Sequence, residues 1–274
     1  MNIQAETADQ RLRARARRVI PGGMFGHMRA EGLPEGYPQF FERGEGCHLW
    51  DVDGRRYVDF MCSWGPNILG HQHPRVTEAM QRQMAAGDCL NGPTERMVEL
   101  AERLVGLIPN ADWALFSKNG TDATTTCVTL ARAATGRRKI LAARGAYHGA
   151  VPWCTPYPLG VTAEDRAHLI EYVYNDVRSL QAAVETAGDD LAGVIVSAFR
   201  HDYGFDQELP NADFARQARA LCDETGAALI LDDVRAGFRL TLRGSWDLIG
   251  VQPDLSAWSK AIANGYALAA VTGA

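Results

Sequence analysis

The chain has 274 residues and a formal net charge of −5, with 46% hydrophobic and 22% charged residues, the balance of an ordinary globular protein able to bury a large core. That charge offers no footing to nucleic acid or to an anionic membrane surface, so neither is expected as a partner. No apolar run nears the roughly 18 residues of a membrane span, the N-terminus lacks the apolar core of a signal peptide, and six cysteines without a C-x-x-C pair do not make a disulfide framework, so a cytoplasmic protein with reduced thiols and no metal site is expected.

Residues 8–19 read as a short basic helix ended by Pro21-Gly22-Gly23. Its arginines at 11, 13, 15, 17 and 18 form a solvated face and not a transit signal, because Glu6 and Asp9 interrupt that composition. From Phe40 to Phe60 the pattern turns strand-like, with two strands around the turn at Asp53-Gly54. A helix from about Pro74 to Ala86 carries Val76, Met80 and Met84 on one face. Helix and strand then alternate: helix 94–107, strand 112–116, helix 121–134, strand 138–142, helix 177–187, strand 191–197, helix 211–225 with Phe214, Ala218, Leu221 and Cys222 along one face, and, after Gly226, strand 227–231. Such alternation predicts an α/β fold whose mostly parallel central sheet is covered by helices on both faces. The expected division is an N-terminal segment, 1–73, of helix and short strands, and a large domain, 74–274. In such sheets ligands bind at the carboxyl ends of the strands.

Four segments at those ends carry unusual residues. Asn119-Gly120-Thr121-Asp122 opens a helix, where free N–H groups and a hydroxyl make a phosphate cup; the same residues also make a good helix cap. Tyr147-His148-Gly149 follows the strand 138–142, and its aromatic either stacks on a flat ligand or packs structurally. Asp232 and Asp233 follow five apolar residues, and a carboxylate at a dry strand end needs a cation. A protonated pyridine nitrogen would serve, as would a helix cap or pairing with Arg235 or Arg239. Finally, Lys260 is the lone charge from Leu255 to the end of the chain. Desolvation there favours a free amine able to form a Schiff base.

In this order, these motifs resemble those of class III, fold type I, pyridoxal-phosphate-dependent aminotransferases, and among them glutamate-1-semialdehyde 2,1-aminomutase-like proteins. The resemblance runs from Arg15 to Gly273. It implies that Lys260 carries pyridoxal 5'-phosphate covalently, that Asp232 pairs with the pyridinium nitrogen, and that Val234 and Tyr147 flank the ring, with His148 completing the Tyr-His-Gly motif. Gly120 and Thr121 match the phosphate-binding Ser-Gly-Thr, with Asn119 in place of the serine. Lys260, Asp232 and Tyr147 are thus the expected catalytic residues. Pro21-Gly22-Gly23 through Met28-Arg29, and Ser63-Trp64-Gly65-Pro66 with Leu69-Gly70-His71 and His73-Pro74, resemble the aminomutase branch, where the residues matching Arg29 and Trp64 bind the substrate carboxylate and line its pocket.

The chain also departs from that branch. Ser259-Lys260-Ala261-Ile262-Ala263-Asn264-Gly265 replaces a glycine-rich stretch, Asp122 and Asp233 replace glutamates, 150–174 is short for a gating loop, and Ser197-Ala198-Phe199-Arg200 replaces Val-Glu-Pro. These differences favour amino transfer between an amino donor and a separate keto acid or aldehyde; the alternatives are an aminomutase or a non-catalytic truncated homologue. The resemblance further implies a homodimer and a C-terminal domain absent from this chain, which is expected to be partial.

Overall fold

The computed structural model describes residues 6–26, 28–201 and 206–274. They fall into two compact units, Met1–Cys89 and Leu90–Ala274.

In the first unit, helix α1 (Ala8–Val19) starts from a capping box between Thr7 and Gln10. Asp9, one of the acids that interrupts the basic run, is buried: it accepts the backbone N–H groups of Gln39 and Phe40 at 2.9 and 3.0 Å and pairs with Arg13 at 2.5 Å. Strands β1 (Phe41–Glu45), β2 (His48–Asp51) and β3 (Arg56–Val58) form an antiparallel sheet in that order. The Asp-Gly turn joins β2 to β3, with Gly54 at φ 82° and Asp51 accepting from the N–H groups of Asp53 and Arg55 and from the Tyr57 hydroxyl. Helix α2 (Pro74–Ala86) begins with a proline in its first turn, where a missing N–H costs nothing. Its apolar stripe stays unburied within the chain, and Met84 is 59% exposed. The boundary expected at 73/74 precedes α2, whereas the compact units part after Cys89.

The second unit contains α3 (Glu95–Leu107), β4 (Trp113–Ser117), α4 (Gly120–Thr135), β5 (Lys139–Ala143), β6 (Leu169–Tyr172), α5 (Val177–Ala187), β7 (Leu191–Ser197), α6 (Ala212–Thr225), β8 (Ala228–Asp232), β9 (Leu255–Trp258) and β10 (Ala269–Gly273). Its seven-stranded sheet runs β4-β10-β9-β8-β7-β5-β6. Only β10 is reversed, pairing antiparallel with β4 and β9, so the sheet is mostly parallel as expected. Every residue of β7 is buried, as a strand covered on both faces requires. Ile195 and Ile230 pack on the side of α4 with Ala123, Cys127 and Ala131. Their neighbours Val194, Val196, Leu229 and Leu231 pack on the side of α5 and α6 with Leu180, Val184, Phe214 and Cys222. The alternation places two helical layers on one sheet. The cysteines are free thiols, three of them buried. Among the described residues no helix is long and apolar enough to cross a membrane.

Candidate active site

Parallel pairing sets Asp232, at the end of β8, opposite Ala257 of β9, and the Asp233 N–H donates to the Ala257 carbonyl at 3.0 Å. The segments after the two strands therefore leave the sheet side by side. Asp232 is 5% exposed. Its Oδ1 accepts the Val234 N–H at 3.1 Å, and its Oδ2 lies 2.7 Å from Nδ1 of His148. The cation expected for Asp232 is therefore neither Arg235 nor Arg239 within the protein; the side chain that meets it is His148. That histidine is itself buried, stacks nearly parallel on Trp153, and leaves Nε2 buried without a hydrogen-bond partner among the described residues. Tyr147, next in the chain, is partly exposed; burial pushes its phenol above the ordinary value, and the charges of Cys154 and Asp232 add to that.

The opening of α4 satisfies both readings of its sequence. Asn119 caps the helix, accepting the Asp122 N–H at 3.0 Å, and its amide donates to the Asp122 carboxylate at 2.9 Å. The N–H groups of Gly120 and Thr121, in the first turn, keep no acceptor among the described residues, and they sit at the positive end of the helix dipole. A Cβ at position 120 would lie 2.8 Å from Cγ1 of Val234 and 3.6 Å from Cβ of Ser259. The helix terminus and the ends of β8 and β9 thus converge to van der Waals contact. Gly149, at φ +138°, brings its chain against Thr121, whose hydroxyl a Cβ there would meet at 2.7 Å.

Lys260 follows β9 at φ 52°, a left-handed conformation that a non-glycine residue adopts at some cost. It is partly buried, and its amine makes no hydrogen bond or ion pair with a described residue. Burial holds its amine below the usual lysine range; Arg235 and Arg239 push the same way, and Asp232 opposes them.

Behind this junction, Asp233 is fully buried and accepts both the N–H (2.9 Å) and the hydroxyl of Ser245. Burial raises its carboxyl from 3.8 to about 6 against those hydrogen bonds. Between about pH 4 and 6 the folded chain therefore holds a proton that the unfolded chain has released, so this group's contribution to stability falls as pH rises through that window and levels above it. The fall amounts to about 3 kcal/mol. Asp233→Asn should remove it: the stability of wild type relative to the variant should drop by about that amount from pH 4 to pH 7 in urea unfolding, and a difference independent of pH would refute the assignment.

Arg29 and Trp64 belong to the first unit, and both are exposed there. Trp64 is the third of three consecutive left-handed residues, after Cys62 and Ser63. A network that the sequence did not announce secures that turn. Asp59 accepts the N–H groups of Met61 and Cys62 and faces Nε2 of His71 at 2.8 Å, while Asn67 bridges Nδ1 of His71 and the Ser63 hydroxyl.

A buried carboxylate, unpaired helix N–H groups and a desolvated amine on neighbouring strand ends suit a flat, phosphorylated cofactor with a basic ring nitrogen and an aldehyde. Gly120 lets Val234 close against the helix terminus beside those N–H groups. Together with the sheet order, this set defines the fold type I class of pyridoxal-phosphate enzymes. The chain belongs to the class-III aminotransferase family, whose model matches residues 33–274. It is 51% identical over 97% of its length to an aminopentol aminotransferase of Sphingopyxis macrogoltabida, and 40% identical over 95% of its length to a glutamate-1-semialdehyde 2,1-aminomutase of Chloroflexus aurantiacus. It spans 63% and 61% of those two relatives. The FumI protein of Sphingopyxis sp. MTA144, solved in its PLP internal aldimine form, superposes with a TM-score of 0.95 at 51% identity, covering 97% of this chain and 64% of that one.

Proposed function

We propose that the protein transfers an amino group from an amine or amino acid to a keto acid or aldehyde, using pyridoxal 5'-phosphate. The observation that carries this reading is the junction of Lys260, Asp232 and the opening of α4. When bound, the cofactor supplies an aldehyde that takes the amine and a ring that accepts an electron pair. Gly120 and Thr121 hold the phosphate through their N–H groups and the Thr121 hydroxyl, and Asn119 fixes that terminus. Asp232 holds a proton on the ring nitrogen, with His148 orienting the carboxylate from behind. Val234 and Tyr147 cover the two ring faces. Lys260 would hold the cofactor's aldehyde through Nζ, and the same amine, when free, would carry a proton to or from the reacting carbon. Arg29 takes a substrate carboxylate and Trp64 lines the pocket.

The unburied apolar stripe of α2 supports a homodimer. We place the protein in the cytoplasm, with small molecules as its substrates. The similarity to the Chloroflexus aminomutase favours a second reading, in which both amino positions lie on one molecule; product formed without any added acceptor would establish it. The primary test is borohydride reduction of the cofactor-loaded protein followed by peptide mapping. The chain contains three lysines, at 118, 139 and 260, so the map is unambiguous. The label is expected on Lys260, and a label elsewhere, or none, overturns the reading.

A further inference from the structure

We propose that Arg235 is the anchor for the carboxylate of a 2-oxo acid acceptor, a role that rests on the amino-transfer reading above. Val234 touches the opening of α4, and Ser259 approaches the same point. Arg235 and Lys260 are the next residues of those two segments, so both leave one junction at the carboxyl edge of the sheet. Arg235 is partly buried, yet it makes no hydrogen bond and no ion pair with any described residue. The carboxylates of its own turn are engaged elsewhere, Asp232 with His148 and the Val234 N–H, and Asp233 with Ser245. A desolvated guanidinium without an anion is costly, and its planar fork of donors matches a carboxylate.

Two electrostatic effects agree with that placement. Burial holds the guanidinium below its usual range, and its positive charge acts on the Lys260 amine. The phosphate is met separately by the N–H groups of α4. What remains is an anion carried by the molecule that reacts beside Lys260. A 2-oxo acid bears its carboxylate on the reacting carbonyl carbon, so an arginine at this position fixes the carbonyl within reach of the transferred amine. The arrangement leaves the donor free to lack a carboxylate, with Arg29 serving donors that have one.

The test compares pyruvate with acetaldehyde, the same acceptor without its carboxylate, in the cofactor-loaded protein with a common amine donor. In Arg235→Met the ratio of kcat/KM for pyruvate to that for acetaldehyde should fall about 10- to 100-fold, the range of a charge-assisted pair. Most of the fall should lie in KM for pyruvate, and Arg235→Lys should recover part of it. A ratio within about threefold of wild type, or an equal loss with both acceptors, overturns the anchor. Calorimetric titration with propionate, which has no carbonyl to react, reads the anion site independently of turnover. Binding about tenfold or more weaker in Arg235→Met supports the anchor, and equal binding overturns it. Wild-type protein that binds propionate through Arg235 but turns over neither acceptor counts against amino transfer and not against the anion site.

Discussion

Lys260→Ala is expected to lower amino transfer by about four orders of magnitude or more while leaving the protein folded. One amine carries two duties in the proposed chemistry, covalent anchoring and proton movement, and the second alone contributes roughly 10²- to 10⁴-fold. No other lysine replaces it. Lys118 is exposed, and Lys139 donates to the carbonyls of Thr186 and Ala187 on the far side of the fold from the strand ends. The fold has little to lose, because the Lys260 amine makes no hydrogen bond or ion pair with a described residue and alanine inherits the same left-handed backbone. Thermal melting should shift little, the cofactor should still be held at the opening of α4, and the borohydride label should vanish. Retention of more than about a tenth of wild-type turnover would sink the assignment of Lys260.

The parts of this fold that the sequence announced are those with a strong period. α4, α6, β7 and β8 sit between turns and alternate cleanly, and their buried faces follow from that alternation. β10, Ala-Ala-Val-Thr-Gly, carries no alternation to mark a face, since all five of its residues are buried, and besides the adjacent β9 it pairs with β4 from far earlier in the chain. β6 lay in a stretch whose composition reads as loop. In the site, Lys260 and Asp232 stood out because charge is scarce at a strand end among apolar residues. The contact between His148 and Asp232 was hidden, since it spans 84 residues and exists only because β5 and β8 flank β7. The left-handed run at Cys62, Ser63 and Trp64 was hidden too, as such backbone is normally signalled by glycine.

Asp232→Asn should lower the rate by about 10³-fold or more, the scale lost when a preorganised charge is removed from a dry site. The substitution isolates charge from shape. An asparagine carbonyl can still accept the Val234 N–H that Oδ1 accepts at 3.1 Å, and its amide can donate to Nδ1 of His148 in the other tautomer, so packing at this 5%-exposed position is kept. What disappears is the negative charge that, in the proposed chemistry, would keep a proton on the ring nitrogen; an opposite charge at hydrogen-bond distance commonly shifts a pKa by roughly 1–3 units. Without that charge, Lys260 would move its proton against a higher barrier. Cofactor affinity should change far less than turnover, because the phosphate contacts proposed for Gly120 and Thr121 would be untouched. A variant within about tenfold of wild type, or about 1.4 kcal/mol, would mean that the carboxylate serves only to hold His148 and the turn at Val234.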